Sequence, residues 1–117
     1  MSGAVSYHAG LAAEAAVARH YERCGRAITA SRWRSEAGEI DLIARDGAEV
    51  IFIEVKQSRS HAEAAEHLTP RQMARIYASA SMFLAGEPDG QNTASRFDVA
   101  LVDGAGRIEI IENAFAA

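Results

Sequence analysis

The stretch GEIDLIARDGAEVIFIEVKQSR, residues 38 to 59, decides the fold of this chain. It predicts two largely apolar strands joined near Asp46-Gly47, because an Asp-Gly pair between such strands is a strong hairpin signal. Both faces of the strands are apolar near the turn, so we expect both to be covered. Charges interrupt the pattern at the ends away from the turn. They belong to Glu39, Asp41, Glu54 and Lys56, and the last is the only lysine of the chain.

The type of turn decides which of these charges face each other. A type II′ turn at Gly47-Ala48 places Asp41 opposite Glu54. The same turn places Glu39 opposite Lys56. A type I′ turn one residue earlier leaves Asp41 and Glu54 one diagonal step apart. In both registers strict alternation puts the four charged side chains on one face, whereas a three-residue loop would separate the two carboxylates.

Two facing carboxylates repel each other, and burying them is costly unless a cation compensates. Magnesium favours oxygen ligands and commonly takes one or two carboxylates together with waters and phosphate oxygens. Asp41 and Glu54 are therefore candidate metal ligands, and Lys56 could stabilise charge at phosphorus or orient an attacking water. The alternative is a cross-strand salt bridge between Glu39 and Lys56, with the other two carboxylates merely solvated.

A third carboxylate, Glu14, lies in the N-terminal part of the chain. Residues 7 to 24 are predicted to form an alanine-rich helix that ends before Gly25. Its apolar stripe is Tyr7, Leu11, Ala15, Ala18 and Tyr21, and Glu14 falls inside it. Glu14 therefore either meets a cation or metal, or extends into solvent from the edge of a small apolar face.

The rest of the chain predicts an α/β domain. The expected elements are a strand at 26–34, hairpin strands at 38–45 and 49–56, a loop at 57–68, a helix from Pro70 that ends at Gly86, and strands RFDVALV and RIEIIE. Thr69 caps the second helix, and Gln72 completes a capping box with it. The order αβββαββ suggests a mixed sheet flanked by helices, in one domain of residues 1–117.

Composition and charge exclude some classes of protein. A net charge of −4 argues against a protein that coats nucleic acid through charge alone. Residues 19–34 nevertheless hold five arginines against one glutamate, which could hold a phosphate backbone or simply be solvated. There is no apolar run of membrane-spanning length and no signal-peptide pattern. A single cysteine fits a reduced, cytoplasmic setting, and no membrane association is expected.

The sequence also resembles a known family. GLAAE, AGEIDLIARD, VIFIEVKQSR, LTPRQMARI and RFDVALV come in the order seen in the YraN-type family of bacterial proteins, which are predicted endonucleases. Asp41 followed by Glu54-Val55-Lys56, with a glutamate on the preceding helix, is similar to the PD-(D/E)XK signature of restriction-endonuclease-like folds. The twelve residues between Asp41 and Glu54 are typical of the Holliday-junction-resolvase-like branch.

The resemblance implies a restriction-endonuclease-like fold and a metal-dependent nuclease. By it, Asp41, Glu54 and the backbone carbonyl of Val55 would bind Mg²⁺ or Mn²⁺. Lys56 would be the catalytic lysine, and Glu14 an accessory acid whose place among the metal ligands stays open. Glu39 matches the motif without a defined role, pairing with Lys56 being one option.

Substrate contacts are expected from arginines. The candidates are Arg32, Arg34, Arg59 and Arg71. The family usually has arginine where this chain has Ser58, and commonly lysine where it has Arg71. Both departures would affect phosphate binding, and hence substrate affinity, more than metal binding.

The leading hypothesis is a metal-dependent endonuclease that acts on DNA, including branched or single-stranded DNA, and no residue excludes RNA. The alternative is a non-catalytic module of the same fold that binds nucleic acid or a protein partner. A two-fold homodimer would suit an enzyme that cuts both strands of a duplex.

Overall fold

The computed structural model describes the backbone of residues 3–114 and the side chains of residues 9–114. The elements in chain order are α1 (Gly3–Arg23), β1 (Ala27–Ser35), β2 (Gly38–Asp46), β3 (Glu49–Gln57), α2 (His61–Glu66), α3 (Pro70–Leu84), a 3₁₀ turn (Gly90–Asn92), β4 (Ser95–Val102) and β5 (Ile108–Ile111). The predicted αβββαββ order is confirmed, with α2 as an additional short helix.

The five strands form one mixed sheet in the order β1-β2-β3-β4-β5. The β1–β2, β2–β3 and β4–β5 pairs are antiparallel, whereas β3 and β4 are parallel. A parallel pair needs a crossover connection, which α2 and α3 provide. Among residues 3–114, no helix combines the length and the apolar character needed to cross a bilayer.

Helix α1 ends where the sequence predicts. Gly25 has a φ of 81°, a conformation that glycine adopts without steric cost. The N–H of Gly25 donates to the carbonyl of Glu22, and the N–H of Arg26 donates to the carbonyl of Tyr21, each at 3.0 Å. These two bonds form the Schellman motif that commonly closes a helix.

The face that α1 buries differs from the predicted stripe. Ala13, Val17 and Tyr21 are buried against the sheet, whereas Ala15 is exposed. The side chain of Tyr7 lies outside the described residues. Alanines surround this helix on several sides, so the contrast between apolar and polar faces is too weak to locate the buried one from sequence. Glu14 consequently lies beside the buried face rather than at its centre.

Helices α2 and α3 cover the other face of the sheet. The buried residues of α3 are Ile76, Ser79, Ala80 and Leu84, and the sheet residues of the same cluster are Ile40, Ile43, Val50 and Phe52. The predicted capping box is confirmed: Thr69 Oγ1 accepts from the N–H of Gln72 at 3.2 Å, and Gln72 Oε1 accepts from the N–H of Thr69 at 3.3 Å.

Helix α2 lies in the segment 57–68 that was expected to be a loop, and that expectation is wrong. Ser60 caps α2, its Oγ accepting from the N–H of Glu63 at 3.1 Å. Ala64 is fully buried against β4, next to Val99 and Leu101. The helix buries a single alanine, so it has no apolar period from which it could be recognised.

The hairpin takes the first of the two predicted registers. Asp46 pairs with Glu49, and the turn residues are therefore Gly47 and Ala48. Gly47 alone has a positive φ, of 61°, as a type II′ turn requires. The ladder between β2 and β3 extends from this turn to Leu42 paired with Ile53.

Strict alternation along β2 fails at one place, contrary to expectation. Ile40 and Ile43 both pack in the cluster under α3, whereas Leu42 packs in the cluster under α1. Residues three apart in a regular strand point to opposite faces, so the strand skips one step between Ile40 and Leu42. Asp41 lies at the skipped step.

Candidate metal centre

The acidic pair lies where β2 separates from β3. In the register of the hairpin Asp41 faces Glu54, one residue beyond the last ladder pair. Asp41 Oδ2 accepts a hydrogen bond from the backbone N–H of Val55 at 2.8 Å. The carboxylate thus takes the place that a backbone carbonyl would have in a continued ladder, which fixes its orientation towards β3.

The carboxyl group of Glu54 is strongly perturbed. Burial raises its pKa, together with a hydrogen bond and charge repulsion from Asp41, and the nearby charge of Lys56 opposes the shift; the result is about 9. Glu14 raises the pKa of Glu54 slightly further. The predicted approach of Asp41 to Glu54 is thus present, and the raised pKa favours the protonated form of Glu54 near neutral pH.

Glu14 approaches the pair from α1. Its pKa is raised by burial and by the charge of Asp41, against the opposing charge and hydrogen bond of Arg32. Arg32 Nε lies 3.3 Å from Glu14 Oε1, and only 16% of the Glu14 side chain is exposed. Of the two alternatives for Glu14, the structure shows a cation, and it is an arginine of β1.

Glu39 pairs with arginines of β1 and not with Lys56. Arg34 Nε lies 3.4 Å from Glu39 Oε2, and Arg32 Nε lies 4.0 Å from Glu39 Oε1. Among the residues with described side chains, Lys56 has no carboxylate within 4.0 Å, although its charge acts on Glu54. The cross-strand salt bridge between Glu39 and Lys56 that was considered as an alternative is absent.

A cleft opens on the α3 side of the pair. It has a volume of about 190 Å³ and is lined by Gly38, Glu39, Glu54, Gln72, Arg75 and Ile76. A Cβ added to Gly38 would lie 3.8 Å from the Cβ of Arg75, so the strand and the helix meet closely at this point. Arg75 carries the positive charge of the cleft, and it was not among the arginines selected from the sequence.

The other selected arginines lie elsewhere. Arg59 is 89% exposed and forms an ion pair with Glu63 at 2.9 Å. Arg71 is exposed and does not line the cleft. Arg75 shares a helix face with Gln72 and Ile76, so the helical period of α3 is the signal that could have selected it. The helical period alone does not show which face of α3 lies beside β2, so it could select Arg75 only once the position of β2 was known.

The donor set suits a magnesium-type ion with few protein ligands. Asp41, Glu54 and the Val55 carbonyl supply oxygens alone, and Mg²⁺ commonly uses one or two carboxylates with waters. Within residues 9–114 no three His, Cys, Asp or Glu side chains come close enough together to hold a metal. The place of Glu14 among the ligands stays a prediction.

A second buried carboxylate, Asp98, is held by hydrogen bonds from other parts of the fold. Asp98 on β4 is completely buried, and Tyr21 Oη donates to its Oδ2 at 2.7 Å. Arg96 Nε and the backbone N–H of Asn113 each donate to Asp98 Oδ1 at 3.0 Å. These bonds compensate the charge fully, which explains the aspartate in the RFDVALV motif without a catalytic role.

Comparison with known proteins gives one family. The sequence profile described as "Uncharacterised protein family UPF0102" matches residues 13–102. A UPF0102 protein of Cereibacter sphaeroides is 76% identical over 117 residues, covering all of both chains. A UPF0102 protein of Ruegeria pomeroyi is 62% identical over 113 residues, covering 97% of this chain and 92% of its own length. One of Dinoroseobacter shibae is 44% identical over 104 residues, covering 89% and 78%.

Proposed function

This chain belongs to the uncharacterised protein family UPF0102, of the YraN type, and from that premise and its paired carboxylates we propose that it is a metal-dependent DNA endonuclease. The reaction is hydrolysis of a phosphodiester bond. The family is uncharacterised, so the chemistry is argued from the site itself.

The single observation that carries the proposal is the contact between Asp41 and Glu54. Burial raises the pKa of Glu54, and the hydrogen bond and negative charge of Asp41 raise it further, so the two carboxylates repel each other when both are ionised. Asp41 and Glu54 would hold a divalent cation whose charge offsets this repulsion and favours the ionised form of Glu54. When bound, Mg²⁺ or Mn²⁺ would polarise the scissile phosphate and lower the pKa of the attacking water.

The groups around this pair would have separate roles in positioning the ligands, the phosphate and the water. Asp41 is held in place by the Val55 N–H, which limits its reorganisation when a metal enters. Lys56 has no close carboxylate among the described side chains, so its ammonium group can donate to a phosphate oxygen or orient the water. Glu14 would be the accessory acid on the α1 side of the site, where it forms an ion pair with Arg32.

Arginines at the mouth of the cleft support a nucleic acid as substrate. Arg75 lines the cleft beside Glu54, and Arg34, which is 78% exposed, is paired with Glu39, another residue of the cleft lining. Guanidinium groups suit phosphate oxygens because their donors form a planar fork. With a net charge of −4, the chain is expected to contact a few phosphates near the site rather than a long stretch of backbone.

The experiment is cleavage of linear, nicked and branched DNA by purified protein with Mg²⁺ or Mn²⁺. Asp41→Ala removes a metal ligand, and Lys56→Ala removes the group that positions water or stabilises charge. Each change is expected to lower the rate by about 100-fold or more. Equal rates for the two variants and the original chain would show that the cleavage comes from elsewhere.

Matched controls are available outside the site. Asp89→Ala removes an exposed aspartate whose side chain makes no helix-capping bond. Arg23→Ala removes an exposed basic residue at the end of α1. Both variants are expected to cleave at the original rate.

A second candidate function is a non-catalytic module of the same fold that binds nucleic acid or a protein partner. The absence of a three-residue ligand set within residues 9–114 favours it. Titration with Mn²⁺ separates the two: DNA binding that persists without any Mn²⁺ binding at millimolar concentration supports the module, and Mn²⁺ binding that Asp41→Ala abolishes supports the nuclease.

A further inference from the structure

Arg32 has an unusual backbone conformation for a residue inside a strand. Its φ is 50°, in the left-handed region, which is unfavourable for a residue other than glycine. Ser31 and Arg32 both line a cavity under α1, although neighbours in a regular strand point to opposite faces. Ala30 and Trp33 both pack in the cluster under α3. The left-handed step therefore turns the Arg32 side chain towards α1.

The neighbouring strand skips a step at the same level. Ser31 pairs with Leu42 and Trp33 pairs with Ile40, so Arg32 lies opposite Asp41 in an unbroken register. Asp41 is the position at which β2 loses its alternation. The two irregular steps together bring the Arg32 guanidinium to Glu14 and Glu39.

The contacts of Arg32 show what its charge compensates. Its Nε lies 3.3 Å from Glu14 Oε1 and 4.0 Å from Glu39 Oε1. Arg32 opposes the effects of burial and of Asp41 on the pKa of Glu14. The four carboxylates thus form two pairs with different partners. Glu14 and Glu39 share the Arg32 guanidinium, whereas Asp41 and Glu54 contact each other.

We propose that Arg32 is a resident second cation, which restricts this site to one divalent ion per chain, held by Asp41 and Glu54. Glu14 and Glu39 lie near a common atom of Arg32, so without that guanidinium they could hold a second divalent ion together with waters. The left-handed step is maintained because it places the charge where a second metal would otherwise bind. The inference rests on the proposed metal site but is tested by counting ions and not by cleavage.

The test is the number of Mn²⁺ ions bound by the full chain, measured by calorimetry and by electron paramagnetic resonance of free Mn²⁺. The original chain is expected to bind one ion. Arg32→Asn is expected to bind two, since asparagine tolerates positive φ and is too short to reach Glu14. Arg32→Lys keeps a positive charge and should bind one. Arg34→Asn is the matched control, because Arg34 also contacts Glu39, and it should bind one ion.

Either of two ion counts would overturn the inference. One is a count other than one for the original chain, and the other is a count of one for Arg32→Asn that keeps the circular dichroism and melting transition of the original. Glu14→Gln gives a separate check that does not depend on altering the strained residue. Its affinity for the single ion should change less than about threefold, whereas a tenfold loss would make Glu14 a ligand and contradict the proposal.

Failure of this inference can be told apart from failure of the proposed function. Cleavage by a chain that binds two ions contradicts the role of Arg32 and leaves the nuclease in place. One bound ion without cleavage of any nucleic acid supports the role of Arg32 and contradicts the nuclease. No bound ion contradicts both.

Discussion

The carboxyl group of Glu54 is withdrawn from water and hydrogen-bonded to Asp41, and these effects raise its pKa from 4.5 to about 9. In the unfolded chain the same group ionises near its ordinary value. Between these two pKa values the folded, metal-free protein binds a proton that the unfolded chain has released. Its free energy of unfolding therefore falls as the pH rises through this interval.

The variant Glu54→Gln tests this consequence, because glutamine cannot ionise. In EDTA the free energy of unfolding of the original chain should fall between about pH 5 and about pH 8, and that of the variant should fall less. At about pH 8 the variant should be more stable by about 1–3 kcal/mol. Urea denaturation at several pH values measures both quantities.

The control for this comparison is Glu22→Gln, which changes an exposed glutamate of α1. Its pH dependence should match that of the original chain. Millimolar Mn²⁺ should remove most of the advantage of Glu54→Gln at high pH, because the ion stabilises only a folded site that retains both carboxylates. Parallel pH profiles for the original chain and Glu54→Gln would contradict the perturbation of Glu54.

At the scale of elements, the capping box and the close packing of α3 on β2 determine what faces the acidic pair. Ser79 Oγ lies 3.4 Å from the position of a Cβ at Gly38, so a side chain there would press against the helix. The close approach brings Arg75 into the cleft beside Glu54. Helix α3 thus supplies the positive side of the cleft, and the hairpin supplies its negative side.

Arg75→Ala is expected to weaken DNA binding. Loss of one phosphate contact should raise KM by about fivefold, reduce the salt dependence of binding by about one ion, and change kcat less. The measurement is cleavage kinetics and DNA affinity at several salt concentrations. Arg23→Ala, at the end of α1, is the matched control and should leave the three quantities unchanged.

Unaltered KM and salt dependence in Arg75→Ala would place the phosphate contacts elsewhere on the molecule. Arg71→Ala should then be measured, because the sequence predicts that Arg71 contacts the substrate. Arg71 does not line the cleft. A larger effect at Arg71 than at Arg75 would contradict the assignment of the cleft to substrate.

At the scale of the whole molecule, the Asp98 network ties α1 to β4 and to the segment after β5. Tyr21 and Asp98 are both buried, and burial and the bond to Asp98 raise the pKa of Tyr21. Elements distant in the sequence meet at this one carboxylate. The network explains why a charged residue is retained inside an apolar strand.

Asp98→Asn is expected to destabilise the protein by about 3–5 kcal/mol, because it leaves Arg96 partly buried with less compensating charge. Tyr21→Phe removes one hydrogen bond and should cost about 1–2 kcal/mol. Urea denaturation measures both, and Asp89→Asn on the exposed loop is the control. Equal stability of Asp98→Asn and the original chain would exclude a structural role for the network.

The local features of this fold were predictable from the sequence for a clear reason. Gly25 after α1, Gly47 in the hairpin and Thr69 before α3 each act on backbone atoms a few residues away, so their effects can be deduced from neighbours along the chain. Helix α2 was missed because its stability comes from contacts outside it. His61 Nε2 lies 2.9 Å from the carbonyl oxygen of Arg107, and Ala64 packs on β4.

The sequence alone determined the hairpin and limited a two-residue turn to two registers, both of which bring Asp41 near Glu54, because strand spacing and turn type fix which residues face each other. The structure selected the register with Gly47 and Ala48 in the turn. Only the tertiary structure decided the partner of Glu14, the left-handed step at Arg32 and the presence of Arg75 in the cleft. These depend on how α1 and α3 pack across the sheet, and packing between distant segments leaves no local pattern in the chain.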